Sequence, residues 1–113
     1  MATFQTFEEI ESWQMARRLT FEIYGASKKS PFAKDFGLQK QIRDASVSVM
    51  ANIAEGFERS GSGGFQQFLA IAKGSAGEVI SHLYVALDQG YINEEEFRRL
   101  EKVVRDTGRK SVD

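Results

Sequence analysis

Histidine and carboxylate are the side chains from which a helical protein most readily builds a metal or acid–base site. This chain holds one histidine, His82, with Glu78 four residues before it. A di-iron helical site needs two Glu-x-x-His pairs and two further inward glutamates. One pair at the wrong spacing does not meet that need and reads as a surface Glu–His pair. Ser75 lies seven residues before His82 on a similar helical face, but no strained turn or oxyanion donor set accompanies it. None of the 113 residues is a cysteine, which excludes thiolate nucleophiles, disulfides and thiolate metal sites. Gly61-Ser62-Gly63-Gly64 lacks the Lys-Ser/Thr ending of a phosphate-binding P-loop, and no strand precedes it. The expectation is a non-enzymatic protein with no catalytic, metal or cofactor site and no evident small-molecule substrate.

Binding chemistry is better represented. Arg98, Lys102, Arg105 and Arg109 fall within a helical wedge of roughly 60°, opposite Phe97, Leu100, Val103 and Val104. From Arg98 to Lys110 there are six bases and two acids, and a one-sided basic helix of this kind follows a phosphate backbone. The competing reading is a solvated face. Glu94/Arg98, Glu95/Arg99, Glu101/Arg105 and Asp106/Lys110 are acid-first i,i+4 pairs that support an exposed helix, and no aromatic is interleaved for base stacking. A second polar set sits near apolar stripes: Arg17 between Ile10, Trp13 and Tyr24; Arg43 beside Met50 and Phe57; Asn52 and Glu55 at the margin. A buried charge needs a partner, so Glu55 or Glu78 is expected to pair with one of these arginines. With Ser75 they form a candidate core or subunit-contact network. Ala70, Gly74, Gly77 and Ser81 share another wedge of roughly 60°. Glycine inside a helix costs about 1 kcal/mol against alanine, so this seam implies close approach of a backbone, either within the chain or from another copy.

Turn signals define the elements that position these residues. Thr6-Phe7-Glu8-Glu9 is a capping box, and the helix after it should end before Ser30-Pro31. Asp35 is a candidate N-cap for a second helix, Ser60-Gly61-Ser62-Gly63-Gly64 reads as a loop, and Gly90 is a candidate C′ glycine. Asn93-Glu94-Glu95-Glu96 caps a fourth helix with acids in its first turn. Four helices are thus expected, over about 7–29, 36–59, 65–89 and 94–110, in one all-α domain spanning 1–113. The short connections favour an antiparallel up-down-up-down bundle. Fifteen basic residues oppose sixteen acidic ones, too balanced to announce a nucleic-acid binder by charge alone. No secretory signal or membrane span is visible, and a cytoplasmic location is expected.

The first two helices carry more apolar surface than one bundle covers. Leu38, Ile42, Ala45, Val49 and Ile53 form one stripe and Val47, Met50, Ala54 and Phe57 an adjoining one, an arc of about 200° where half suffices. In the first helix Ile10, Trp13, Phe21 and Tyr24 lie on one flank and Ala16, Leu19 and Ile23 on the other. Uncovered, such surface marks an interface, and self-association covers it. Loops or helix splay are the alternative cover.

Trp13-Gln14-Met15-Ala16, Phe36-Gly37-Leu38-Gln39-Lys40-Gln41-Ile42-Arg43, Asn52-Ile53-Ala54-Glu55-Gly56-Phe57 and Phe68-Leu69-Ala70-Ile71-Ala72-Lys73-Gly74-Ser75 occur in that order. Together they resemble the bacterial four-helix-bundle proteins encoded in intervening sequences of 23S rRNA genes, over about Phe7 to Glu101. The resemblance implies an antiparallel four-helix bundle assembled as a homopentameric ring. The related accessory variability proteins of diversity-generating retroelements imply RNA, or an RNA-handling protein such as a reverse transcriptase, as partner. Asn52, Glu55 and Ser75 match family motif positions to which no catalytic role attaches. Those accessory proteins are strongly basic, whereas this chain has a pI of about 5.9. The expected function is a homo-oligomeric scaffold or accessory protein; the alternative is a protein–protein adaptor that never touches nucleic acid.

Overall fold

The structure is a computed structural model describing residues 4–59 and 64–109. Four helices make up the fold, α1 (Glu11–Ser27), α2 (Phe36–Glu58), α3 (Phe65–Asp88) and α4 (Glu94–Arg109), with no strand among the described residues. Of the loop expected at 60–64, residues 60–63 lie outside them and Gly64 is the residue before α3; the expected end of the fourth helix at 110 also lies outside.

The helix boundaries follow local chemistry. Asp35 caps α2, its Oδ1 accepting from the Leu38 amide at 3.1 Å, which satisfies one of the orphan donors of the first turn. Gly90 ends α3 with φ +75°, a conformation glycine adopts without steric cost. The Tyr91 amide then reaches Ala86 O at 2.9 Å and the Gly90 amide reaches Leu87 O at 3.0 Å, the paired bonds of a Schellman turn. At α4 the Glu96 amide donates to Asn93 Oδ1 at 2.8 Å and the Asn93 amide to Glu96 Oε1 at 3.4 Å, a reciprocal capping box.

The first helix departs from expectation at both ends. The Thr6 amide does donate to Glu9 Oε2, at 3.0 Å, but Thr6 leads into a single 3-10 turn, Phe7–Glu9. Ile10 is then extended (φ −76°, ψ 123°) and α1 starts only at Glu11. The break sends Phe4, Phe7 and the fully buried Ile10 against the core, with the Phe7 ring edge-on to Trp13 at 5.1 Å. At its other end α1 stops at Ser27, two residues before the expected limit. Gln39 Nε2 donates to Ser27 O at 2.8 Å, pairing one of the carbonyls that the helix end leaves without an intrahelical donor.

Each helix packs on two others: α1 on α2 and α4, α3 on α2 and α4. The result measures 44 × 23 × 18 Å. Its core divides in two. One cluster joins all four helices around Leu19, Ile23, Ile42, Val79, Leu83, Leu100 and Val104. The other holds Ile10, Trp13, Ala16, Val49, Ile53 and Ala72, and no residue of α4. Length explains the division. At 1.5 Å per residue, the 16 residues of α4 span about 24 Å against about 36 Å for the 24 of α3, and Phe4 to Ile10 cover what α4 does not reach. Buried Gly56 sets the spacing of α2 and α3 there: a Cβ on it would lie 2.9 Å from Phe65 Cδ1 and 3.2 Å from Phe68 Cβ.

Candidate functional site

The basic wedge of α4 is exposed, and every one of its cations is already engaged on its own helix. Arg98 pairs with Glu94 at 3.2 Å, Arg105 with Glu101 at 2.9 Å, Lys102 with Asp106 at 2.6 Å and Arg109 with Asp106 at 2.9 Å. The hydrogen bond from Lys102 is the main cause holding the Asp106 carboxyl below its ordinary value; burial opposes it, and the charges of Lys102 and Arg109 add to the lowering. Counted over its whole length, α4 carries five acids and five bases. The positive balance read from Arg98 onward omits the three glutamates of the first turn. One expected pairing is replaced and another is not described. Arg99 reaches across to Glu22 of α1 in place of Glu95, and Lys110 lies outside the described residues.

The polar residues of the first three helices do not form a buried charge network. Arg17 is exposed, its guanidinium 5.9 Å from the Trp13 ring centre. Arg43 is half-buried, donating from Nε to Ser27 Oγ at 2.8 Å and lying 4.4 Å over the Tyr24 ring. Glu55 pairs with Arg59, one turn on, and Glu78 faces solvent. The cause is directional: a ring lies on the same side as each arginine, joined at Arg43 by a hydroxyl, and neither carboxylate is there. The network that does form is neutral. Ser48 Oγ and Ser75 Oγ share a hydrogen bond of 2.8 Å between α2 and α3, and Asn52 Nδ2 donates to Ser48 O at 2.8 Å and to Ser48 Oγ at 3.0 Å. His82 is half-buried. No group of three or more His, Asp or Glu among the described residues could hold a metal ion.

The small-residue seam is not an internal contact. Ala70, Gly74, Gly77 and Ser81 are all exposed, and a Cβ on Gly74 or Gly77 would meet nothing within 4 Å. Beside them Ile71, Tyr84 and Val85 also face solvent. The apolar excess of the first two helices is split. Met50, Ala54 and Phe57 pack under the amino-terminal segment, while Phe21 (79% exposed), Tyr24, Phe36 (75%) and Val47 remain open. A last feature lies between α1 and α4: an open groove of about 290 Å³, with Met15 and Val103 lining it among Arg18, Arg99, Lys102 and Asp106.

Residues 8–112 match the family described as 23S rRNA-intervening sequence protein. The chain belongs to that family. Among solved structures it resembles a protein of unknown function from the S23 ribosomal protein family of Bacteroides thetaiotaomicron VPI-5482, at 22% identity and a TM-score of 0.78, over 87% of this chain and 92% of that one. At that identity the likeness concerns the fold. No curated protein matches the chain. The resemblance seen in the motif order thus stands as family membership. For this intervening-sequence family member, sequence reasoning missed the α1–α4 groove, because its residues come from segments about 85 positions apart. The one local signal was the i,i+4 spacing of Arg18 and Glu22, bonded at 3.2 Å.

Proposed function

We propose that this protein is a non-enzymatic scaffold or accessory factor that assembles with copies of itself through its open apolar faces. The observation carrying this reading is the exposure of Phe21 and Phe36 on α1 and α2, large rings that a lone molecule gains nothing by leaving in water. The two open faces differ in shape: α1 and α2 present Phe21 and Phe36, whereas α3 presents glycines and small side chains beside Ile71, Tyr84 and Val85. Unlike faces associate head to tail, and such contacts close into a ring when the rotation permits. The resemblance to intervening-sequence proteins supplies the number five and the antiparallel up-down course. Light scattering at micromolar concentration tests the assembly, with a multimeric mass expected; a monomeric mass overturns it.

As partner we propose RNA, or an RNA-handling protein such as a reverse transcriptase, met in the cytoplasm; the support is the resemblance to the accessory variability proteins of diversity-generating retroelements. Arg98, Lys102, Arg105 and Arg109 are the residues to hold phosphate, through N–H donors that their neighbouring carboxylates leave free. A salt-sensitive affinity that falls on charge reversal of these four is the expected result; unchanged binding removes α4 from the reading. The second reading, an adaptor for proteins alone, is favoured by the equal count of acids and bases on α4. A partner retained after nuclease treatment selects it.

A further inference from the structure

The groove between α1 and α4 combines an apolar floor with a surplus of positive charge. Its lining is mainly apolar, with Met15 and Val103 as the hydrophobic contributors, and cations stand around it. Glu22 is held by both Arg18 and Arg99, and Asp106 by both Lys102 and Arg109. Of these cations Arg18, Arg99 and Lys102 line the groove and face two carboxylates, Asp106 in the lining and Glu22 beside it, leaving the groove one charge positive although α4 by itself is neutral. The donors are not spent. Arg18 uses only its Nε on Glu22, and Arg99 only Nη1, out of the five N–H bonds that each guanidinium carries. At about 30 Å³ for each water, the groove takes roughly ten waters or one large side chain in their place.

We infer that the α1–α4 groove binds a short acidic peptide segment, seating one large aliphatic side chain on Met15 and Val103 and its flanking carboxylates on Arg18, Arg99 and Lys102. Charge complementarity selects the acid. The apolar floor selects a peptide over a nucleic acid, since a phosphate backbone has nothing to place there and no ring lines the groove for a base to stack on. Methionine, flexible and polarisable, adapts to the inserted side chain. The site shares no residue with the open faces of α1, α2 and α3, so its side chains can be substituted without touching those proposed for self-assembly.

The test is fluorescence anisotropy with a fluorescein-labelled peptide of one leucine flanked by two glutamates on either side, against full-length protein at low salt. Saturable binding is expected. It should fall roughly tenfold or more in the Arg18→Gln/Lys102→Gln variant, which removes two charge-assisted contacts, and also when the peptide's leucine is replaced by serine. Both substituted side chains are about three-quarters exposed, so the variant keeps the fold. Its mass by light scattering should equal the parent's, which separates this site from the assembly. No binding of the leucine peptide, or equal binding of the serine peptide, overturns the inference. So does a single-stranded RNA oligonucleotide that binds more tightly and is equally sensitive to the double variant.

Discussion

Replacing Gly74 and Gly77 together by alanine separates what α3 does within one molecule from what it does between molecules. Both glycines lie inside a 24-residue helix, and a Cβ at either would meet nothing within 4 Å. Within one chain the methyls cost nothing sterically and remove the conformational entropy that glycine loses on folding, a gain of roughly 0.5–1 kcal/mol each. The pair should stabilise the isolated chain by about 1–2 kcal/mol, or roughly 5–10 °C in melting temperature for a domain of this size. If a neighbouring copy packs on this face, the same methyls overfill the contact at a cost of about 1–3 kcal/mol, and association weakens by roughly tenfold or more. The assays are thermal melting, followed by circular dichroism in dilute solution where light scattering gives the monomer mass, and dilution-dependent mass at higher concentration. A lower melting point for the dilute variant would refute the geometry of α3. A higher melting point with the parent's assembly intact would take α3 out of the subunit contact.

Two further predictions concern the junctions between helices. Gly56→Ala should have the opposite sign to the α3 pair: its Cβ would come 3.2 Å from Phe68 Cβ, and overpacking of about 1–3 kcal/mol outweighs a propensity gain of about 1 kcal/mol, which lowers the urea midpoint. Asp35 serves α2 through Oδ1 and accepts from the Tyr91 hydroxyl through Oδ2 at 3.0 Å. Asp35→Ala should therefore cost about 1 kcal/mol or more from the lost cap, with Asp35→Asn recovering the cap in the same denaturation curve. The bond to Asp35, aided by burial and by the carboxylate's charge, raises the Tyr91 hydroxyl above its ordinary value. The folded state then holds that proton more tightly than the unfolded state, so this stabilisation is complete below about pH 10 and lost as pH rises through the folded value. Tyr91→Phe should remove that alkaline loss, and an unchanged alkaline limb in the variant would contradict it.

Elements whose signals are local are legible in the sequence itself. Asp35, Gly90 and Asn93 each act on the backbone within four residues, and each forms the turn or cap that its type and position imply. The Thr6 box is legible in its bonding but not in its result, because whether a helix continues past Glu9 depends on Ile10 finding room against Val49 and Ile53, which are far away in sequence. The polar residues escape for a related reason. Helical projection places Arg43 near apolar neighbours but does not say that Ser27 and the Tyr24 ring lie opposite, so it calls for a carboxylate where a hydroxyl and a π face suffice. The acid-first spacing on α4 correctly pairs Glu94 with Arg98 and Glu101 with Arg105. It misplaces Arg99, whose partner Glu22 belongs to another helix.

Because α4 falls short of the far end of α3, that end is roofed by a short strip from Phe4 to Ile10, held by one capping box and one 3-10 turn in place of a full helix. The two ends of the molecule should therefore yield at different thresholds, the end under the short strip opening before the end that four helices enclose. The chain's single tryptophan, Trp13, sits directly under that strip. Its fluorescence is a built-in sentinel for whichever event, a protease cut or a competing segment, lifts the covering first.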